Sequence, residues 1–186
     1  MISALELRRQ FLHMAFGIFL VTMLYFHFFN IYHLIGILIL GLIFSRLCKS
    51  YTIPLASWVM EKFERPENRK TFPGKGPIFF TIGSIIVVYF FPLKIALASI
   101  IILTLGDALS HIFGKLLSRK TYKYLKSVEG TIAGIAFSFF GALLFVNVFA
   151  ALSGSLLSMV LETLKLDYID DNLLVPVTAA LIMSIF

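Results

Sequence analysis

The sequence predicts an all-α, polytopic membrane helix bundle with about seven transmembrane helices, and composition and apolar run length are the two observations behind that prediction. Apolar residues make up 59% of the 186 residues and charged residues only 14%, whereas soluble domains are about 45 to 50% apolar and about 25% charged. Long apolar runs, such as 78–91 and 95–105, are typical of helices buried in a bilayer. We therefore expect residues 1–186 to form one integral-membrane domain.

Seven apolar segments are bounded by turn residues or charges and are predicted to be spans. Several are shorter than the roughly 20 residues that a straight crossing needs, so a re-entrant segment stays open as an alternative. A short amphipathic piece at 53–63, in the polar connection after the second span, suits the membrane interface. The spans are predicted at 11–29, 31–47, 77–91, 95–117, 131–149, 151–164 and 173–186.

The charges predict how these spans are oriented. With the amino terminus inside, every Lys and Arg except Lys94 falls on the cytoplasmic side, as do all the acidic residues. We therefore expect an N-in, C-out topology with the working face in the cytoplasm. Orientation accounts for the net charge of +6, so no nucleic-acid partner is predicted. The single cysteine, Cys48, excludes an internal disulfide and a cysteine-based metal cluster.

A carboxylate lies deep in the fourth predicted span. An Asp at the centre of a membrane helix costs about 2.5 to 3.5 kcal/mol, so Asp107 is a candidate functional residue. Asp107, His111 and Lys115 recur every four residues and so share one helix face. Two interpretations stay open: Asp107 is a metal ligand or base, or it forms a buried Asp–His pair that holds helices together.

A second cluster lies where the basic loop 118–129 becomes the fifth span. It comprises Lys126, Glu129, Gly130 and Thr131. Free backbone N–H groups and the positive end of a helix dipole suit a phosphate there, and Glu129 could bind Mg²⁺ beside it. The alternative is an ordinary helix N-cap with a solvated ion pair.

The polar connection 63–77 carries Arg69 and Lys75 among Gly and Pro residues. It lacks the spacing of a P-loop. Such a segment either folds over an anionic nucleotide or sets topology and touches anionic headgroups.

Polar residues at two further span ends complete the predicted site. Glu162 with Asp171 and Asn172 indicates a second metal site or a site for a substrate hydroxyl, or else a solvated loop with an Asp N-cap. At the amino end, one helical stripe comprises Glu6, Arg9 and His13. We expect this stripe either to contact a headgroup or phosphate or to anchor the helix at the membrane interface.

These motifs together resemble the family of dolichol kinase, phytol kinase and CTP-dependent diacylglycerol kinase, and more distantly the phosphatidate cytidylyltransferases. The resemblance extends over nearly the whole chain. Its elements are Glu6-Leu7-Arg8-Arg9-Gln10-Phe11-Leu12-His13; Gly106-Asp107-Ala108 with Gly114; Lys126-Ser127-Val128-Glu129-Gly130-Thr131; and Glu162, Asp171-Asn172 and Pro176.

The resemblance implies a catalytic domain that transfers a phosphoryl group from CTP to the hydroxyl of a membrane isoprenoid or lipid alcohol, of the dolichol, phytol, geranylgeraniol or diacylglycerol type, with Mg²⁺ as cofactor. Asp107 and Glu129 are the implied catalytic residues, and with Asp171 the implied metal ligands. The implied nucleotide-binding residues are Gly114, Lys115, Lys126, Gly130, Thr131, Arg69 and Lys75. The implied substrate-binding or supporting residues are Glu6, Arg9, His13, His111, Glu162 and Asn172.

Two other functions stay open. A CTP-dependent cytidylyltransferase would act on a lipid phosphate, and an ion- or proton-coupled transporter would use Asp107 and Glu162 as relay groups. The transporter needs ionisable groups that reach both faces, and the outer turns carry few. The expected location is a prokaryotic cell membrane or the endoplasmic reticulum membrane, and the prediction allows for a homodimer.

Overall fold

The structure is a computed structural model, and it describes residues 2–50, 54–117, 127–164 and 169–186. The regular elements within those ranges are nine helices, so the predicted all-α class is confirmed. They are α1 (Ala4–Tyr25), α2 (Ile31–Ser50), α3 (Pro54–Phe63), α4 (Pro66–Thr71), α5 (Lys75–Phe90), α6 (Leu93–Leu117), α7 (Val128–Ala142), α8 (Val148–Thr163) and α9 (Asp171–Met183).

Seven of these helices coincide with predicted spans, and α3 coincides with the predicted amphipathic piece. The short α4, with Pro66 in its first turn, was not predicted. Among the described residues, α2 and α6 are the helices long and apolar enough to cross a membrane. The helices α5, α7, α8 and α9 are apolar but shorter.

Polar side chains fix where four of the helices begin. Ser3 accepts a hydrogen bond from the backbone N–H of Glu6, and Ser127 and Asn147 accept equivalent bonds at α7 and α8. Asp170 does the same at α9. Each bond satisfies a backbone donor that has no partner within its helix, at about 1 kcal/mol per cap. The predicted span 131–149 is too long at its end, because α7 stops at Ala142 and Asn147 caps the next helix, α8.

The buried helix α6 lies at the centre of the bundle and packs against α1, α7, α8 and α9. It runs antiparallel to α1: His13 lies beside Asp107, and Gly17, one turn later on α1, lies against Thr104, which is earlier on α6. It runs parallel to α8, because Ser110 contacts Glu162 while Gly154 lies near Ile102. The carboxyl ends of α6 and α8 therefore meet the amino end of α1.

A line of glycines allows α6 and α7 to approach closely. A Cβ added to Gly130 would lie 2.9 Å from the Cα of Gly114, and one added to Gly134 would lie 3.0 Å from the carbonyl oxygen of Gly106. Real Cβ atoms need more room than this, so these positions require small residues to keep the two backbones in contact.

Large apolar side chains cover much of the outer surface. Only 11% of the most apolar 18-residue stretch of α2 is buried within the protein, whereas 72% of the corresponding stretch of α6 is buried. Tyr32 and Leu40 on α2, and Phe149 on α8, are each more than two thirds exposed. The apolar surface of α2 is thus covered by protein to a far smaller extent than that of α6.

Candidate functional site

A cavity of about 830 Å³ lies where α1, α5 and α9 begin, beside the last turns of α6. The most buried polar residue of its lining is Asp107, which is only 6% exposed. Three cations with partly exposed side chains form a rim, and apolar side chains line one wall. The rim comprises Arg9, Arg65 and Lys75, and the apolar wall comprises Leu12, Phe16, Val59, Met60, Phe63, Phe79 and Phe80.

Two histidine rings flank the Asp107 carboxylate. Nε2 of His111, one turn later on α6, lies 3.3 Å from Oδ1, and Nε2 of His13 on α1 lies 3.9 Å from Oδ2. The His13 ring is held edge-on against Phe80, with ring centroids 5.1 Å apart. The predicted stripe of His13 and the predicted stripe of Asp107 and His111 therefore meet in one place.

Glu162 reaches the same carboxylate from α8. It is 1% exposed, and its Oε1 lies 3.3 Å from the hydroxyl of Ser110. Ligand atoms of Asp107, His111 and Glu162 all lie within 4.8 Å of one another. Carboxylate oxygen and imidazole nitrogen are common ligands of divalent cations. These three residues are therefore a candidate metal site, and we refer to them as the α6–α8 triad.

The amino end of α1 is tied to the rim through Glu6. Oε1 of Glu6 accepts a hydrogen bond from Gln10 at 2.9 Å and lies 3.4 Å from Nη2 of Arg65 and 3.5 Å from Nη2 of Arg9. Burial by itself raises the pKa of Glu6, but the positive charges of Arg9 and Arg65 and the Gln10 bond outweigh it, so the pKa lies below its ordinary value. Glu6 therefore remains a carboxylate that holds two rim cations.

A buried carboxylate that the sequence prediction missed shapes the segment above the cavity. Glu64 is 8% exposed, and its Oε1 accepts hydrogen bonds from the side chain of Asn68 and the backbone N–H of Arg65. Its Oε2 accepts one from the backbone N–H of Gly74 at 3.1 Å. These bonds fix the α3–α4 connection and so position the Arg65 side chain. The one available signal was Glu64 four residues before Asn68, with Pro66 between them.

Of the two predicted cations in this connection, only Lys75 lines the cavity. Its Nζ lies 3.2 Å from Oδ2 of Asp170 and 5.6 Å from the ring centroid of Phe79. Arg69 instead donates to the carbonyl oxygens of Glu64 and Glu61, at 3.0 and 2.9 Å. Arg69 thus satisfies carbonyls at the end of α3. The predicted residues Asp171 and Asn172 also line the cavity.

The described residues of the predicted loop-to-helix cluster do not line this cavity. The backbone N–H of Gly130 donates to Oγ of Ser127, and the hydroxyl of Thr131 donates to the Ser127 carbonyl. Glu129 and Lys115 are exposed, and neither they nor Gly114, Gly130 and Thr131 are among the described residues that line the cavity. Lys126 lies outside the described residues. The geometry therefore brings together Asp107, His111, His13, Arg9, Lys75, Asp171 and Asn172, with Glu162 and Glu6 in contact with that set.

The fold and the site define a class of protein: the described residues form an all-helical bundle with a cavity that carboxylates, histidines and cations line. The chain belongs to the same family as the protein of Methanocaldococcus jannaschii named "Uncharacterized protein MJ1137". The two are 30% identical over 187 residues, which cover 96% of this chain and 93% of that relative. No family model matches the chain, and no solved structure matches it significantly.

Proposed function

We propose that the chain is a membrane-embedded kinase that transfers the γ-phosphoryl group of CTP to the hydroxyl of a lipid alcohol of the dolichol, phytol, geranylgeraniol or diacylglycerol type. The observation that carries this proposal is the cavity itself. A cationic rim and an apolar wall, two chemically different surfaces, meet above one buried carboxylate, Asp107. That arrangement suits a reaction between a water-soluble anion and a lipid head.

The proposal places the chain in a membrane as a seven-span bundle, N-in and C-out, formed by α1, α2 and α5 to α9. Outward-facing Tyr32, Leu40, Phe140 and Phe149 are each at least 67% exposed in the protein alone. Contiguous apolar surface of this kind is rare on soluble monomers and is satisfied by lipid. The cavity lies at the end of the bundle where the basic residues concentrate, which supports a cytoplasmic active face.

The rim supplies the nucleotide end of the site. The guanidinium groups of Arg9 and Arg65 and the ammonium of Lys75 can bind phosphate oxygens by charge-assisted hydrogen bonds. Phosphoryl transfer depends mainly on positioning and on neutralising charge at the transferred group. Arg65 was not a predicted site residue, and the proposal adds it. The choice of CTP as donor comes from the resemblance described above.

The apolar wall supplies the lipid end. Leu12 and Phe16 on α1 line the cavity together with Phe79 and Phe80 on α5, and Phe16 packs on Phe80. A hydrocarbon chain held against these side chains would present its hydroxyl to Asp107. Oδ2 of Asp107, on the His13 side, accepts the hydroxyl proton. As the oxygen of the lipid alcohol bonds to the γ-phosphorus, the bond from the γ-phosphorus to the β–γ bridging oxygen breaks, and CDP leaves with that oxygen.

The ligand set of the α6–α8 triad fits the divalent cation that the resemblance implies. Mg²⁺ ordinarily takes one or two carboxylates from a protein when it also binds phosphate oxygens. Asp107, Glu162 and His111 would hold the cation, which when bound neutralises charge on the phosphate oxygens. Glu129, which the sequence predicts as a metal ligand, is exposed on α7.

The test uses purified protein in lipid nanodiscs with a panel of lipid alcohols and CTP labelled at the γ- or the α-phosphate. The proposal expects the γ label, and not the α label, in a lipid product. Transfer of the α label to a lipid phosphate would replace the kinase with a cytidylyltransferase. No transfer from either label to any lipid in the panel would overturn both.

A further inference from the structure

We infer that the α6–α8 triad binds a divalent first-row transition cation of the Mn²⁺ type in preference to Mg²⁺, and that His111 is the ligand that sets this preference. The inference deepens the proposed function and rests on it for the use to which the cation is put. Binding itself can be measured without nucleotide or lipid.

The geometry places the three ligands on rigid elements. Asp107 and His111 share one face of α6, separated by a single turn, and Glu162 comes from the parallel helix α8. Their ligand atoms lie within 4.8 Å of one another. Ser110, between the two α6 ligands, donates its hydroxyl to the Asp107 carbonyl at 2.9 Å and lies 3.3 Å from Oε1 of Glu162. The hydroxyl therefore fixes the α8 ligand against α6.

A second nitrogen faces the same carboxylate. Nε2 of His13 is buried, has no hydrogen-bond partner among the described residues, and lies 3.9 Å from Oδ2 of Asp107. Burying a polar atom without a hydrogen bond costs about 1 to 3 kcal/mol on mutational scales. A positive ion bound at Asp107 would give this nitrogen lone pair a favourable neighbour.

The ligand types decide which cation is favoured. Mg²⁺ is a hard ion that prefers oxygen ligands in near-ideal octahedral geometry and keeps several waters. Imidazole nitrogen favours first-row transition ions, while carboxylates and phosphate oxygens also suit Mn²⁺. A site of two carboxylates and one imidazole beside a nucleotide pocket therefore favours Mn²⁺ over Mg²⁺. Replacing His111 by an oxygen ligand should remove that preference.

The experiment measures Mn²⁺ by electron paramagnetic resonance in purified, metal-free protein without CTP or lipid. Free Mn²⁺ is titrated, with and without competing Mg²⁺, in the wild type and in His111→Gln. The bound ion is then examined for electron–nuclear coupling to ¹⁴N. His33→Gln is the matched control, because His33 lies in the first turn of α2, away from the triad, where its ring stacks on Phe29. Circular dichroism and gel filtration verify that each variant remains folded.

We expect Mn²⁺ to bind about tenfold or more tightly than Mg²⁺, with ¹⁴N coupling in the wild type and in His33→Gln. His111→Gln should lose the coupling and bind the two ions within a few-fold of each other. Wild-type protein that prefers Mg²⁺, or that shows no ¹⁴N coupling, would overturn the inference without any need for a variant. Coupling that persists in folded His111→Gln would overturn the role of His111.

The two proposals fail separately. Lipid phosphorylation with Mg²⁺ and no nitrogen-coupled Mn²⁺ would leave the proposed function standing and remove this inference. Nitrogen-coupled Mn²⁺ in a protein that transfers neither label would do the reverse.

Discussion

Nε2 of His111 lies 3.3 Å from Oδ1 of Asp107, one turn earlier on the buried helix α6. This contact occupies one oxygen of the carboxylate, while the other faces His13 on α1. Because the two histidines come from different helices, the orientation of the Asp107 side chain depends on the packing of α1 against α6. A buried carboxylate held from two sides is well placed to act on a bound hydroxyl.

Asp107→Asn should abolish lipid phosphorylation while leaving the bundle folded in detergent. The amide has nearly the same shape but neither accepts the hydroxyl proton nor holds a cation comparably, so we expect a loss of about 100-fold or more. Product is measured with γ-labelled CTP, and folding by gel filtration and circular dichroism. Full activity in the variant would remove Asp107 from the mechanism.

Lys75→Gln should raise the KM for CTP by about tenfold with a smaller change in kcat, because a partly exposed rim cation contributes mainly to phosphate binding. Lys94→Gln is the matched control, since Lys94 is an exposed lysine in the turn at the start of α6 and is predicted to lie on the opposite side of the membrane. Steady-state kinetics with varied CTP separates the two parameters. Equal KM values for the two variants would exclude Lys75 from the nucleotide site.

Phe16→Ala should raise the KM for the lipid alcohol and leave the KM for CTP unchanged. Phe16 lines the cavity and contacts Phe80, with ring centroids 5.4 Å apart, so its loss opens the apolar wall. Phe19→Ala is the control on the same helix, because Phe19 is 47% exposed and packs on Phe29. Kinetics with alcohols of increasing chain length provide the measurement. An effect on CTP alone would contradict the assignment of this wall to the lipid.

Gly130→Ala should destabilise the bundle by about 1 to 3 kcal/mol through overpacking. The added methyl would lie 2.9 Å from the Cα of Gly114 on α6. Gly36→Ala is the control, because no described atom lies within 4 Å of its added Cβ. Unfolding in detergent is compared for the two variants. A variant of unchanged stability that binds CTP more weakly would instead support the nucleotide-binding role that the sequence predicts for Gly130.

Glu6 should give the protein a component of stability that is lost in acid. Its pKa is lower in the folded chain than its ordinary value of 4.5, so the folded state favours the ionised form. The stabilisation is fully present above pH 4.5 and disappears as the pH falls through the lower, folded pKa. The difference in unfolding free energy between wild type and Glu6→Gln should therefore shrink in acid.

Glu61→Gln is the control for this pH dependence, since Glu61 is exposed on α3. Unfolding is followed from neutral pH down to about pH 3, which spans the range where carboxylates titrate. A Glu6→Gln difference that stays constant over this range would show that the charge of Glu6 does not hold α1 to the rim.

The helices could largely be predicted from the sequence because long apolar runs report burial directly. The positions where the helices begin and end were harder to predict. Ser3 with Glu6 three residues later signals a helix start. The predicted first span nevertheless begins at 11, because the first two turns of α1 are polar and an apolar run does not mark them. The prediction missed α4 for the same reason. The helix α4 is held by hydrogen bonds from Asn68 and Arg69 to Glu64. Hydrophobic periodicity does not indicate such polar contacts.

The site could be predicted in part. Asp107, His13 and Glu162 could be predicted as candidate functional residues, because each is polar within or beside an apolar run. The structure brings these three side chains together. The loop-to-helix cluster was predicted from helix dipole and amide arguments, which state that Gly130 can bind a phosphate but not which surface it faces. Arg65 carried no signal, because its position depends on a bond network centred on Glu64.

The parallel arrangement of α6 and α8 bears on how the protein is made. If the chain spans a membrane as proposed, α6 would enter the bilayer before the ribosome has assembled α8, so Ser110 could not meet Glu162 until the later helix has been inserted. The α6–α8 triad would consequently be complete only after α8 has been made. On the same proposal, nascent chains arrested before α8 should already be inserted in the lipid but still lack the Glu162 ligand of the α6–α8 triad.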